Sequence, residues 1–283
     1  MSQWEGKVAV ITGAASGIGA GLARYCAGLG MNVVASDVDT AGLSQLQQEL
    51  GGQGGVFQVM TVDVADASQL EQMAESIFTR FGEVNLLFNN AGVLVDGKSW
   101  ERKLSDWRWS LDVNVMGVVH GINAFVPRML AQGSPGRVVN TSSIGGLLGG
   151  GAYLAPYQGT KHMITAISES LYRELEMEEA PISASVLCPA EVATGIWESD
   201  RLRPGEQHNV LGSDGEKQMR EAIAGGVAAG LDPDEFAGRV FEGIEAGRFW
   251  LLPQPEFKQL LQQRHDSILE ESNPLSMAEM LDR

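Results

Sequence analysis

Tyr157 and Lys161, four residues apart in the run APYQGTKHMITAISESLY, put a phenol and an ammonium on one helical face, because side chains at i and i+4 stack. A phenol titrates near pH 10 and transfers protons poorly at neutrality, but a neighbouring cation favours its ionised form. Bringing it from about 10 toward about 7 takes roughly 4 kcal/mol, which one lysine and a second cation can supply together. The pair reads as an acid/base centre, although the same spacing also arises by chance on many helices.

A second constellation lies near the start of the chain. The run Thr12, Gly13, Ala14, Ala15, Ser16, Gly17, Ile18, Gly19 follows an apolar strand pattern and leads into a helix. Glycines there let backbone approach a pyrophosphate at a helix N-terminus, where free N–H groups and the macrodipole favour anions. Asp37 ends the next strand pattern, eighteen residues after Gly19, where a carboxylate can bond the adenosine ribose hydroxyls. It would repel the 2′-phosphate of NADP, and the turn offers Ser16 in place of an Arg or Lys. The expectation is NAD, whose oxidised ring is the second cation that a phenolate at Tyr157 needs.

These residues need a scaffold that brings them together. Apolar, β-branched runs recur at KVAVIT, MNVVASD, GVFQVMTVD, NLLFNN, GRVVNTS, ISASVLCP and RFWLLP, the pattern of buried parallel strands. Helical segments are predicted between them at about residues 17–29, 41–50, 67–81, 104–131 and 156–178, and over 216–246 in two pieces. Strict alternation makes this an α/β chain with a doubly wound sheet, and right-handed crossovers set its ligand loops along one edge. The glycine-rich stretches 51–55 and 145–151 read as loops within one domain. The tail after Pro253 reads as one or two polar helices.

Composition excludes several classes. With 283 residues, 44% hydrophobic, the chain can bury a large core, and its formal charge of −16 disfavours nucleic acid as a partner. No basic n-region and no long apolar run is present, so the expectation is a soluble cytoplasmic protein with no membrane span. Cys26 and Cys188 read as reduced thiols. His120, His162, His208 and His265 lack metal-ligand spacing, so no metal is expected.

Taken together, TGAASGIG at 12–19, NNAG at 89–92, Asn114, TSS at 141–143, YQGTK at 157–161 and PAEVAT at 189–194 resemble, in order and nearly in spacing, the short-chain dehydrogenase/reductase family over about residues 5–253. The resemblance implies a single Rossmann-type domain over residues 1–283, with a mostly parallel seven-stranded sheet and helices on both faces. It also implies a substrate loop and lid at about 190–230 and a homodimer or homotetramer, while the tail beyond it, about 254–283, is expected to be a C-terminal helical extension.

Residue roles follow from the same resemblance. Tyr157 would be the acid/base. Lys161 would hold the nicotinamide ribose and depress the phenol, and Ser143, favoured over adjacent Ser142, would bond the substrate oxygen. Asn114 would anchor a water in the proton relay. Asp63 and Val64 resemble adenine contacts, Asn90, Ala91 and Gly92 the ribose wall, and Pro189, Val192 and Thr194 a carboxamide clamp. Two departures stand out: the segment between Ser143 and Tyr157 is one residue longer than the family's usual loop, and Ala190 replaces the usual glycine after the proline.

Loops after the strands would line the substrate pocket with Val93, Leu94, Val95, Leu147, Leu148, Tyr153, Leu154, Ile196 and Trp197, together with Ser143 and Tyr157. Such a lining suits a small hydrophobic alcohol or ketone, aromatic or polycyclic, better than a sugar. The runs around FVPRMLAQGSPGRVVNTSSIGG, RLRPG and RFWLLPQPEF look similar to bacterial aryl-carbinol dehydrogenases, and hydroxysteroid dehydrogenases share much of the pattern. The leading expectation is an NAD-dependent dehydrogenase of a hydrophobic secondary alcohol. An NADPH-dependent ketoacyl reductase is opposed by Asp37 and the acidic charge. A nucleotide-sensing or scaffolding relative is opposed by the retained Tyr and Lys.

Overall fold

Seven of the apolar runs become strands, and their residues alternate between two cores. In β1 (Val8–Thr12), Ala9 and Ile11 pack on one face while Val8 and Val10 pack on the other, the period-2 consequence of a pleat buried on both sides. The computed structural model describes residues 2–53, 55–205, 212–276 and 279. Parts of the expected lid (206–211), of the C-terminal extension (277, 278 and 280–283) and of the 51–55 loop (Gly54) lie outside the described residues.

The remaining elements in chain order are α1 (Gly17–Gly28), β2 (Asn32–Asp37), α2 (Thr40–Leu50), β3 (Phe57–Thr61), α3 (Ala67–Phe81), β4 (Leu86–Asn89), α4 (Leu104–Leu111) and α5 (Gly117–Gln132). They continue with β5 (Gly136–Thr141), α6 (Gly145–Leu148), α7 (Ala155–Met177), β6 (Ile182–Leu187), α8 (Asp214–Ala228), α9 (Pro233–Glu245), β7 (Trp250–Leu251) and α10 (Lys258–Leu269). The sheet order is β3-β2-β1-β4-β5-β6-β7. Every strand pairing is parallel, with Val10 opposite Val34 and Leu87, and Val139 opposite Phe88 and Ser185.

Helices cover both faces. One core joins α1, α2 and α9 through Leu22, Leu43, Phe236 and Phe241, and the other joins α3, α5 and α7 through Met73, Phe125 and Leu171. Local chemistry sets several helix starts. Asp66 caps α3 by accepting from Ser68 N, and Asp232 caps α9, with Pro233 at its first position.

Two local expectations change. The helix predicted over 104–131 is interrupted by a π turn at Asp112–Met116 between α4 and α5, where one added residue per turn diverts the backbone ladder. The stretch 145–151, expected to be loop, begins with the helical turn α6, whose Leu148 is buried against Leu260 of α10. That apolar contact outweighs the low helix propensity of its glycines.

Candidate active site

Where the order of the sheet reverses, between β1 and β4, the strand ends open into a cleft of about 340 Å³. This is the switch point at which open α/β sheets bind ligands. Its floor at one end is the turn Gly13–Gly19. Gly13 has φ 66°, and a Cβ on Gly19 would lie 2.1 Å from Gly13 O, so only glycine permits this close return of chain upon itself. Asp37 lies on the wall beside it, and its carboxylate accepts from Ala15 N at 2.9 Å and Asp39 N at 3.0 Å. The carboxylate thereby ties β2 to the glycine turn.

The strand ends are sewn together by buried polar groups. Thr12 Oγ1 accepts from Asn90 N at 3.0 Å and Ala91 N at 3.1 Å, and Asn90 Nδ2 donates to Thr12 O at 3.0 Å. Asp63, Val64, Asn90, Ala91 and Gly92 all line the cleft, as do Ser16, Gly17, Ile18, Pro189, Val192 and Thr194. A cradle that admits only glycine, beside a carboxylate at the end of β2, fits the expected dinucleotide.

At the other end, α7 brings up its two reactive groups. Lys161 is 2% exposed, donates to Thr141 O at 3.0 Å, and holds its Nζ 5.7 Å from the centre of the Tyr157 ring. Burial lowers the ammonium to about 8. Burial also raises the Tyr157 phenol, while a hydrogen bond with Ser143 pulls it back down. The expected depression of the phenol by Lys161 is therefore not produced by the protein alone. The ammonium faces the ring and bonds a backbone carbonyl, so a further cation must shift the phenol.

Geometry separates the two serines. Ser142 Oγ donates to Lys161 O at 2.8 Å and meets Thr165 Oγ1 at 2.9 Å, locked into the backbone of α7. Ser143 lines the cleft, reaches Tyr157, and is oriented by Gly145 N, which donates to its Oγ at 3.0 Å. The longer loop does not part them. It passes through three left-handed residues, Gly149, Gly150 and Tyr153.

Asn114 sits in the π turn, fully buried. Its amide donates to Val93 O and Thr160 Oγ1, both at 2.9 Å, and its Oδ1 accepts from Val93 N at 2.7 Å. These bonds join the chain after β4 to α7.

The apolar lining of the cleft differs in part from the expected substrate pocket. Ile196, Ser143 and Tyr157 line the cleft, but Val95, Leu148, Tyr153 and Trp197 do not. Leu148 turns toward α10, and the Tyr153 hydroxyl lies against Gly215 of α8 while its carbonyl accepts from Gly97 N at 2.6 Å. Val93 lines the cleft as expected, and the rest of its apolar wall comes from Trp109, Leu202, Pro204 and Val227. Trp109 was legible only as one more aromatic on a helix.

Two further residues escaped the sequence reading. Gln254, 8% exposed, accepts from Ala190 N at 2.9 Å and donates to Glu191 O at 2.7 Å, fixing the chain just after Pro189. Pro189 O in turn accepts from Ile144 N at 2.7 Å. Arg201 lines the cleft and donates to Asp39 at 2.8 Å. Among the described residues, no group of three or more His, Cys, Asp and Glu side chains is placed to hold a metal ion, and no helix is long and apolar enough to cross a membrane.

A parallel sheet in this order, with a glycine cradle and a Ser-Tyr-Lys cluster at its carboxyl edge, defines a Rossmann-type oxidoreductase. The family model for short chain dehydrogenase matches residues 7–204, and the chain belongs to that family. It is 32% identical over 279 residues to a C alpha-dehydrogenase of Sphingobium sp., covering 97% of this chain and 89% of that protein. A 1-deoxy-11-beta-hydroxypentalenate dehydrogenase of Streptomyces arenae is 32% identical over 266 residues, 93% of this chain and 87% of its own length. A short-chain dehydrogenase/reductase from Burkholderia phymatum, solved in complex with NAD, superposes with a TM-score of 0.93 at 36% identity, covering 98% of this chain and 99% of the other.

Proposed function

We propose that the protein is an NAD-dependent dehydrogenase that interconverts a hydrophobic secondary alcohol and its ketone, with Tyr157 as the acid/base. The observation that carries this reading is the meeting of the Ser143 and Tyr157 hydroxyls over buried Lys161, in one cleft with the glycine turn and Asp37. NAD, when bound, supplies the hydride acceptor and a positive charge. Gly13, Gly17 and Gly19 would admit its pyrophosphate, and Asp37 would bond the adenosine ribose while repelling a 2′-phosphate.

Within the protein, Ser143 donates to the substrate oxygen and fixes the carbon that reacts. Tyr157, as phenolate, takes the hydroxyl proton in oxidation and returns it in reduction. Lys161, brought to about 8 by burial, would stabilise that phenolate together with the charge of bound NAD and can itself release or accept a proton close to neutrality. Asn114 ties the chain after β4 to α7 through Val93 and Thr160, and its Oδ1, which lies with Lys161 Nζ beside Gly92, would anchor a water in the proton relay. The wall of Val93, Trp109, Leu202 and Val227 excludes water and suits a bulky apolar substrate. The NAD complex of the Burkholderia relative and the hydroxy compound in the name of the Streptomyces relative support cofactor and substrate class respectively.

The test is a panel of aryl carbinols, hydroxysteroids, terpene alcohols and aliphatic alcohols with NAD and with NADP, run beside Tyr157→Phe. Turnover of an apolar secondary alcohol with NAD is expected, with loss of roughly a hundredfold or more in the variant while NADH still binds. Wild-type rates in Tyr157→Phe would remove the phenol from the mechanism.

A further inference from the structure

The chain after β6 forms a strap whose seven-residue 3₁₀ segment, Ile196–Leu202, lies on the cleft wall. Two of its anchors face inward. Ser199 is 4% exposed and accepts from Leu94 N at 3.0 Å. The Arg203 side chain is 6% exposed, pairs with buried Asp106, and stacks 4.9 Å over the Trp109 ring. Both fasten the strap to chain that follows β4.

The third anchor spans the opening. Arg201 Nη1 donates to Asp39 Oδ2 at 2.8 Å, joining positions 162 residues apart. Asp39 caps α2 two residues beyond Asp37, so this contact lies at the end of β2, where the adenosine ribose is expected. Upstream on the same strap, Thr194 Cγ2 lies 2.8 Å from where a Cβ on Gly17 would be. The strap therefore passes the glycine turn at Thr194 and is tied to the end of β2 by the Arg201–Asp39 pair.

That pair is a poor candidate for holding the fold together. The Arg201 and Asp39 side chains are 43% and 21% exposed, and exposed pairs contribute little to stability. Its position gives it another use, because the buried anchors on Ser199 and Arg203 already hold Arg201 near its partner, lowering the entropy cost of closing. The Asp39 carboxyl is kept below its ordinary range by the Gly42 N–H and then by Arg201, so it is ionised throughout the neutral region.

Building on the NAD reading above, we propose that Arg201 is a cofactor-retention residue: its pair with Asp39 closes the strap over the adenosine half of the cleft, and the dinucleotide departs while the pair is open. Arg201 acts on binding rather than on the reacting atoms. Its removal speeds release without touching Ser143, Tyr157 or Lys161.

The experiment uses the full chain with NADH as the probe. Release is followed by stopped-flow fluorescence after mixing the NADH complex with excess NAD, for wild type, Arg201→Gln, Asp39→Asn and the double variant. Asn caps helices about as well as Asp, so α2 keeps its start while the charge is lost. Each single variant should release NADH about two- to fivefold faster, the range of an exposed ion pair, and the double variant no faster than the singles. Raising salt should accelerate release from wild type more than from Arg201→Gln. Wild-type release rates in Arg201→Gln, or effects that multiply in the double variant, would overturn the latch while leaving the NAD reading intact. Failure of the wild type to bind NADH in a fluorescence titration would overturn both.

Discussion

Replacing Lys161 with Met should make the protein more stable while removing its turnover. The ammonium is 2% exposed, and burial lowers it to about 8 from its ordinary 10.5. At about 1.4 kcal/mol per unit, burying it in charged form costs roughly 3 kcal/mol. Met has nearly the volume and flexibility of Lys without the charge, so the cost disappears. The lost bond to Thr141 O returns about 1 kcal/mol of it. A net gain of about 2 kcal/mol at pH 7 corresponds to a rise of roughly 4 °C in Tm for a domain of this size.

The pH dependence carries the sharper check. A folded-state pKa below the unfolded value means the unfolded chain binds more protons between pH 8 and 10.5, so the penalty is full below about 8 and fades as pH rises. The advantage of Lys161→Met over wild type should therefore shrink by about 1 kcal/mol between pH 7 and pH 9. Urea unfolding of both proteins across that range measures it, and other groups titrating there cancel in the difference. A constant advantage, or a variant less stable than wild type at pH 7, would refute the claim that burial sets the state of Lys161.

Two simpler substitutions probe the rest of the site. Ser143→Ala should lower kcat by about a hundredfold or more through loss of the donor to the substrate oxygen, whereas Ser142→Ala should mainly cost about 1 kcal/mol of stability. Steady-state rates beside melting curves tell them apart, and equal losses of kcat would mean that the separation of roles is wrong. Gly19→Ala drives a methyl to 2.1 Å from Gly13 O and should abolish NADH binding in a fluorescence titration; retained affinity would place the dinucleotide elsewhere.

Much of the scaffold is readable from local pattern. Runs such as VAVIT and ISASVL are β-branched and doubly buried, and the predicted helices fall within two residues of α1, α2, α3, α7, α8 and α9. What local pattern cannot encode is direction in three dimensions. Leu148 reads as a loop apolar near the cleft, but which way it turns depends on α10, more than a hundred residues later. The π turn at Asp112–Met116 leaves no signature, because its cause is the bonding of Asn114 to Val93 and Thr160 on other elements. Ser142 and Ser143 are equivalent as letters and opposite as side chains, one tied into α7 and one facing the cleft. Arg201 reads as a surface cation until the strap is seen to bring it to Asp39.

The bond pair made by Gln254 ties the chain just after the shortest strand, β7, to Ala190 and Glu191. The cleft that starts at Gly13 is therefore finished by residue 254, and a nascent chain emerging from the ribosome holds most of the parts long before the pocket exists. Such sequence-distant closure is slow in folding, and ligand that binds only the finished site shifts the balance toward the whole chain at once. The far end of the chain thus shapes a cleft whose lining residues all lie at or before Val227.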